Sequence, residues 1–186
     1  MPELHHLLAA TDLSAPSRHA VERAAMLSQE TGASLDLLHV VDRAPLERLR
    51  QLMLGPPDGL QERVLGAVRE RLGELAEALR DRFGVSAGAR VAAGPVLAEL
   101  ARHVDETAAD LIVCGARGES FVRHSLLGST ASRMLGKATR PMLVVKQVPH
   151  EPYRALLVPL DFSPSSVRAV RHARSVAPKA DIALLH

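Results

Sequence analysis

Short unbroken apolar runs alternate along the chain with longer stretches in which apolar positions recur every three or four residues. The first run, Leu7, Leu8, Ala9 and Ala10, ends at Thr11-Asp12 and predicts a buried strand. Ser14, Ala15 and Pro16 then mark a helix start: Ser14 is a good N-cap, and a proline in the first turn removes an amide that has no intrahelical partner. Val21, Ala24, Ala25, Met26 and Leu27 continue at helical spacing until Gly32, a C-cap. Residues 34–41, SLDLLHVV, predict a second strand, which completes a β-α-β unit in about 35 residues.

Residues 43–58 contain Pro45, Pro56 and Pro57 and sustain no period, so they read as a connection with a short helical turn at 46–52. Leu60, Val64, Val68, Leu72, Leu75, Leu79 and Phe83 then step along one face of a long amphipathic helix that Gly84 ends. A weaker strand is expected at 85–92, and a helix opened by Pro95 that turns Val96, Leu97, Leu100, Ala101 and Val104 inward. Residues 110–114 predict a fourth strand, 130–137 a helix and 142–145 a fifth strand. Continuous apolar strands alternating with helices indicate an α/β fold, a doubly wound parallel sheet covered on both faces, which binds ligands at the carboxyl ends of its strands.

The end of the chain repeats its beginning. Residues 155–164, ALLVPLDFSP, align with residues 6–15, HLLAATDLSA, and place Asp161 149 positions after Asp12. Ala169, Val170 and Ala173 match Ala20, Val21 and Ala24, and residues 183–186 match 36–39 after a two-residue deletion. A repeat of this period means tandem domains, with 1–148 complete, 149–153 a linker and 154–186 only the β-α-β start of a second copy.

Composition narrows the function. Aromatic residues are 2% of the chain, so a platform that stacks single-stranded nucleic acid lacks its main tool, and nucleic acid is not an expected partner. A net charge of +2, from 23 basic and 21 acidic residues, is too balanced for a surface that meets polyanions throughout. Cys114 is the lone cysteine and cannot form an intramolecular disulfide. No apolar run approaches the ~20 residues of a membrane span, and Met1-Pro2-Glu3 lacks the basic and apolar regions of a signal peptide; a cytoplasmic protein with no membrane partner is expected.

The chemistry concentrates after the fourth strand. Gly115-Ala116-Arg117-Gly118 is followed by nine residues and then Gly128-Ser129-Thr130 at the start of a helix. Glycines let a ligand approach the backbone closely, amides at a helix start attract anions, and Ser129 adds a hydroxyl donor. Residues 115–147 carry six basic residues (Arg117, Arg123, Arg133, Lys137, Arg140, Lys146) against Glu119, a local balance of +5 within a chain of only +2. Other assignments are milder: His39 reads as a hydrogen-bonded structural histidine, Cys114 as a buried core thiol, and Asp12 equally as a site residue or a helix cap. No metal ligand set and no catalytic residue is assigned.

These motifs are those of the universal stress proteins, which the sequence resembles over 1–148 and again over 154–186. The strand ends at Asp12 and His39, the segment 110–115 (DLIVCG), and the G-x2-G-x9-G-[S/T] pattern at Gly115, Gly118, Gly128 and Ser129 carry the resemblance. The glycine pattern is moderately specific by itself and strong in this context. The resemblance implies a Rossmann-like sheet of strand order 3-2-1-4-5 and the ATP-binding branch of the family. It implies that Ala10, Thr11 and Asp12 border a nucleoside, that Val40 meets adenine through its backbone, and that Gly115, Arg117, Gly118, Gly128, Ser129 and Thr130 cradle phosphates. Ala10 stands where the family often has Pro or Val, and Thr130 where it often has Val; both are small enough to leave the pocket open.

The leading expectation is a non-catalytic regulator of the stress response that binds ATP, or ADP or AMP, with Mg held by the phosphates. The alternatives are slow ATP hydrolysis with Asp12 orienting the metal or a water, and a nucleotide-independent dimerisation module using the edge strand 142–146. Neither G-x-G-x-x-G after the first strand nor G-x4-G-K-[S/T] occurs, which disfavours a dinucleotide oxidoreductase and a P-loop NTPase. A homodimer or an intramolecular pairing of tandem domains is expected. The tail has no counterpart of the glycine motif and leaves sheet edges needing cover. The expectation is that the natural product continues through a second domain and that this chain is a truncated form; if the truncation is natural, the half-domain is expected to dock on the first domain or on another chain.

Overall fold

A computed structural model describes residues 3–42, 44, 59–116, 128–136 and 138–186. Five strands, β1 His6–Ala10, β2 Ser34–Val41, β3 Ala87–Ala93, β4 Leu111–Gly115 and β5 Met142–Val145, form one parallel sheet of order β3-β2-β1-β4-β5. The helices between them are α1 Ala15–Thr31, α2 Leu60–Phe83, α3 Val96–Thr107 and α4 Ser129–Leu135. The predicted connection at 43–58 and its helical turn lie, apart from residue 44, outside the described residues.

Alternation along the strands divides the core into two layers. Leu7 and Ala9 of β1, Leu35 and Leu37 of β2, and Leu111 and Val113 of β4 face α1 and α2, where Val21, Leu27, Leu72 and Leu79 meet them. Leu8, Leu38, Ile112 and Cys114 face the other way, onto Leu100 and Val104 of α3 and Ala131 and Met134 of α4. The right-handed crossover rule then leaves the carboxyl ends of β1 and β4 side by side, where the chain leaves the sheet toward opposite faces.

Capping follows the residue types. Ser14 caps α1 and accepts from the Ser17 amide, and Gly32 ends it in the left-handed region at φ 76°. Gly84 ends α2 likewise at φ 68°. One expected facing differs: Ala101 is exposed, and His103 takes a buried place on α3, because Leu100, His103 and Val104 form the stripe that meets the sheet.

The tail folds as its own small parallel sheet, β6 Ala155–Pro159 and β7 Asp181–Leu185, joined by α5 Pro164–Val176. Its geometry repeats several features of the first unit. Ser163 caps α5 at φ −71°, ψ 158°, against −71° and 160° for Ser14. Leu13 and Phe162 both sit at positive φ, 62° and 61°, a strained conformation for bulky side chains. His39 Nδ1 lies 2.9 Å from the Thr11 carbonyl, and His186 Nδ1 lies 2.9 Å from the Leu160 carbonyl.

Residues joining the two units are anchored. The Arg23 guanidinium on α1 lies 4.1 Å over the Tyr153 ring, and its Nη1 donates to the Glu151 carbonyl at 2.9 Å. Tyr153 and Val176 pack against the core layer under α1. The contacts from residues 149–186 to the first unit are thus made by the linker residues Glu151 and Tyr153 and by Val176 of α5.

Candidate functional site

The carboxyl ends of β1, β2 and β4 bring together most of the residues that the sequence singles out. β1 pairs with both neighbours, Ala10 opposite Leu38 on one side and opposite Cys114 on the other. Ala10, Val40 and Gly115 thus lie on adjoining strands of one rim, with Thr11 and Asp12 just past it.

Local hydrogen bonds hold the loop after β1. The Thr11 hydroxyl is buried, 2.8 Å from the Ser17 hydroxyl, and accepts from the Leu13 amide at 3.0 Å. Asp12 Oδ1 accepts from the Ser14 amide at 3.0 Å and from the Ser14 hydroxyl at 2.5 Å. The helix cap is therefore Ser14, and Asp12 is the group that orients it. The Ser14 oxygen in turn accepts from the Ser17 amide at 3.4 Å.

His39 fixes β2 to this loop. A carbonyl can only accept, so Nδ1 is the protonated nitrogen that donates to Thr11, and in the neutral ring Nε2 is the free acceptor. Burial lowers its pKa, against the raising effects of the Thr11 bond and of Asp12. The structural role expected of His39 is the one observed. Cys114 is buried as expected, and burial pushes its thiol up to about 11, so it stays protonated at neutral pH.

On β4 the Ala116 amide donates to the Val145 carbonyl at 2.8 Å, and the Gly128 amide donates to the Ala116 carbonyl at 2.7 Å. The second bond brings the start of α4, Gly128 with φ −63° and ψ 157°, back to the end of β4. Gly128 is thereby held at the end of β4, the strand beside β1, and Thr130 is exposed on the first turn of α4. Arg117 and Gly118 lie outside the described residues, as do Arg123 and Lys137 of the basic cluster and the Glu119 that offsets it.

Two features were not singled out from the sequence. Asp36 in β2 is a buried carboxylate whose Oδ2 lies 3.2 Å from Arg90 Nε and 3.4 Å from His6 Nε2, at the amino half of the sheet away from the rim. Its acidic residue inside an apolar strand was the available signal. Arg23, buried against Tyr153, gave none, since a lone arginine on a polar helix normally faces water. Among the described residues no group of three or more His, Cys, Asp or Glu side chains is placed to hold a metal, and no helix is long and apolar enough to cross a membrane.

Known proteins share this fold. Universal stress protein A homolog 1 of Coxiella burnetii is 29% identical over 140 residues, covering 75% of this chain and 94% of that protein. A universal stress protein from Archaeoglobus fulgidus superposes with a TM-score of 0.75 at 23% identity, over 99% of this chain and 66% of that one, so the fold likeness includes the tail. A universal stress protein solved in complex with cAMP superposes at 0.56 with 21% identity, over 78% of this chain and 98% of that one. The family model of the universal stress proteins matches residues 3–146, the whole sheet with both core layers and the β1–β4 rim, and the chain belongs to that family.

Proposed function

We propose that this chain binds an adenine nucleotide, ATP foremost, across the rim formed by the ends of β1, β2 and β4, and serves as a stress-response regulator whose assembly or partner binding follows occupancy. The observation that carries the reading is the Gly128-to-Ala116 hydrogen bond, which folds the second half of the glycine pattern back onto the strand that holds its first half. With β1 and β4 paired side by side, a ligand with an anionic group at one end and hydroxyls at the other would span the glycine pattern and Asp12. Phosphate would meet the backbone of Gly115, Arg117, Gly118, Gly128, Ser129 and Thr130, ribose the Asp12 carboxylate, and the base the backbone at Val40, with Ala10 and Thr11 at the rim. Mg, where present, would be held by the phosphates. The complex of a family relative with cAMP supports this choice of ligand class.

Calorimetric titration with ATP, ADP, AMP and cAMP, with and without Mg, tests the reading. Binding in the micromolar range is expected, with affinity lowered about tenfold or more in Asp12→Ala because a charge-assisted hydrogen bond is lost. Absence of binding by every one of these nucleotides at about 1 mM would sink it.

A further inference from the structure

Thr11 stands at the rim, yet its polar groups are engaged inside the protein. Its amide donates to the Leu38 carbonyl at 3.0 Å, and its own carbonyl accepts from His39 Nδ1 at 2.9 Å. The direction of each hydroxyl bond follows from its neighbours. The Ser17 hydroxyl donates to the Ser14 carbonyl at 3.0 Å, and a carbonyl can only accept, so the one Ser17 hydroxyl proton is committed there. In the buried 2.8 Å contact between the two hydroxyls Thr11 is therefore the donor and Ser17 the acceptor. The Thr11 hydroxyl oxygen in turn accepts from the Leu13 amide at 3.0 Å. Neither the amide proton nor the hydroxyl proton of Thr11 is left for a ligand.

These bonds converge on Asp12 from both sides. A peptide unit is planar, so a bond that fixes its carbonyl or its amide fixes the whole unit. His39 holds the peptide before Asp12 through the Thr11 carbonyl, and the Thr11 hydroxyl holds the peptide after Asp12 through the Leu13 amide. With both adjoining peptides held, neither backbone dihedral of Asp12 turns freely, and the Ser14 amide and hydroxyl hold its Oδ1. Leu13 sits at φ 62°, a conformation that persists in a bulky residue only where the surroundings over-determine it.

The tail unit shows what the hydroxyl is not for. Leu160 stands in the place of Thr11, one residue before Asp161. It keeps the equivalent backbone bonds, with its amide 2.7 Å from the Leu185 carbonyl and its carbonyl 2.9 Å from His186 Nδ1. The Ser166 hydroxyl still donates to the Ser163 carbonyl at 2.9 Å, and Phe162 still takes φ 61°. A turn of this shape therefore forms without a hydroxyl, and the Thr11 hydroxyl has a task other than shaping it.

We propose that Thr11 is a positioning residue for nucleotide binding: its hydroxyl, aligned by Ser17, locks the peptide after Asp12 and so aims the Asp12 carboxylate at the ligand's hydroxyls. The assignment rests on the nucleotide reading above. It gives Thr11, which the family resemblance sets beside the nucleoside, a role exerted through Asp12 rather than by hydrogen bonding to the ligand.

Two measurements on the full chain test this, one of which needs no nucleotide. Thr11→Val keeps the shape of the side chain and removes the hydroxyl, whereas Thr11→Ser keeps the hydroxyl. Amide hydrogen exchange followed by NMR should show Leu13 exchanging about tenfold faster or more in Thr11→Val and close to wild type in Thr11→Ser, with β4 and β5 unchanged. Calorimetric titration with ATP should show the dissociation constant raised about tenfold in Thr11→Val and restored in Thr11→Ser. Thr11→Val should add no further loss to Asp12→Ala, because its effect passes through that carboxylate; a merely structural role would add its own. Ser17→Ala, which takes away the acceptor of the Thr11 proton, should move both measurements in the same direction and keeps the test open if Thr11→Val fails to fold. A wild-type chain that binds ATP, with Leu13 exchange or affinity unmoved by Thr11→Val or with additive losses in the double variant, overturns the Thr11 assignment alone. A wild-type chain that binds none of ATP, ADP, AMP and cAMP overturns the nucleotide reading and, with it, the role of Thr11 in binding.

Discussion

At the scale of single residues, the smallest side chain in β3 has the least freedom. Gly88 lies opposite Asp36, and a Cβ built on it would come 2.0 Å from Asp36 Oδ1. That carboxylate is short, buried and engaged by Arg90, so it cannot swing aside without giving up its partner in the interior. Gly88→Ala should therefore cost about 2 kcal/mol, seen as a lower urea midpoint with an unchanged slope. A glycine in a weak strand announces some close approach in the sequence, but what approaches it belongs to another strand and is visible only in register. The same holds at the rim. Asp12 was open between cap and site as a sequence position, and only the bonds to Ser14 show that the serine caps and the aspartate steadies it.

At the scale of elements, His39 ties the end of β2 to the loop after β1 through one proton on Nδ1. Burial lowers its pKa from the usual 6.5, so the folded chain binds fewer protons than the unfolded one below that value. Stability contributed by neutral His39 is present above pH 6.5 and lost as pH falls through the lower, folded value. Chemical denaturation followed between pH 7 and 5 should show this decline, and His39→Gln, which keeps a donor but does not titrate, should flatten it. Strands and helices themselves were legible to within a residue or two, since period two, period 3.6 and caps at Ser14, Gly32 and Gly84 are local signals. Ala101 was misplaced because the inward stripe of α3 depends on how the helix sits on the sheet, and His103 was admitted to it by tertiary packing.

At the scale of the whole molecule, Arg23 anchors the linker between the two units. Its guanidinium covers Tyr153 and holds the Glu151 carbonyl, and its surroundings exclude water. Arg23→Ala should weaken docking by about 2 kcal/mol, the scale of a charged hydrogen bond. Hydrogen exchange is expected to rise selectively in β6, α5 and β7 while the five-stranded sheet keeps its protection; uniform loss across both units would contradict a separable joint.

The amino-acid sequence by itself determined the parallel α/β fold, the repeat of its first β-α-β unit and the residues of the rim, because each rests on local period or on aligned motifs. Family membership followed from the same short-range information. Tertiary structure alone decided which groups meet: Asp36 with Gly88 and Arg90, Gly128 with Ala116, and Arg23 with Tyr153. Those contacts join residues far apart in the chain, and strand register and helix packing, not composition, set the distances between them.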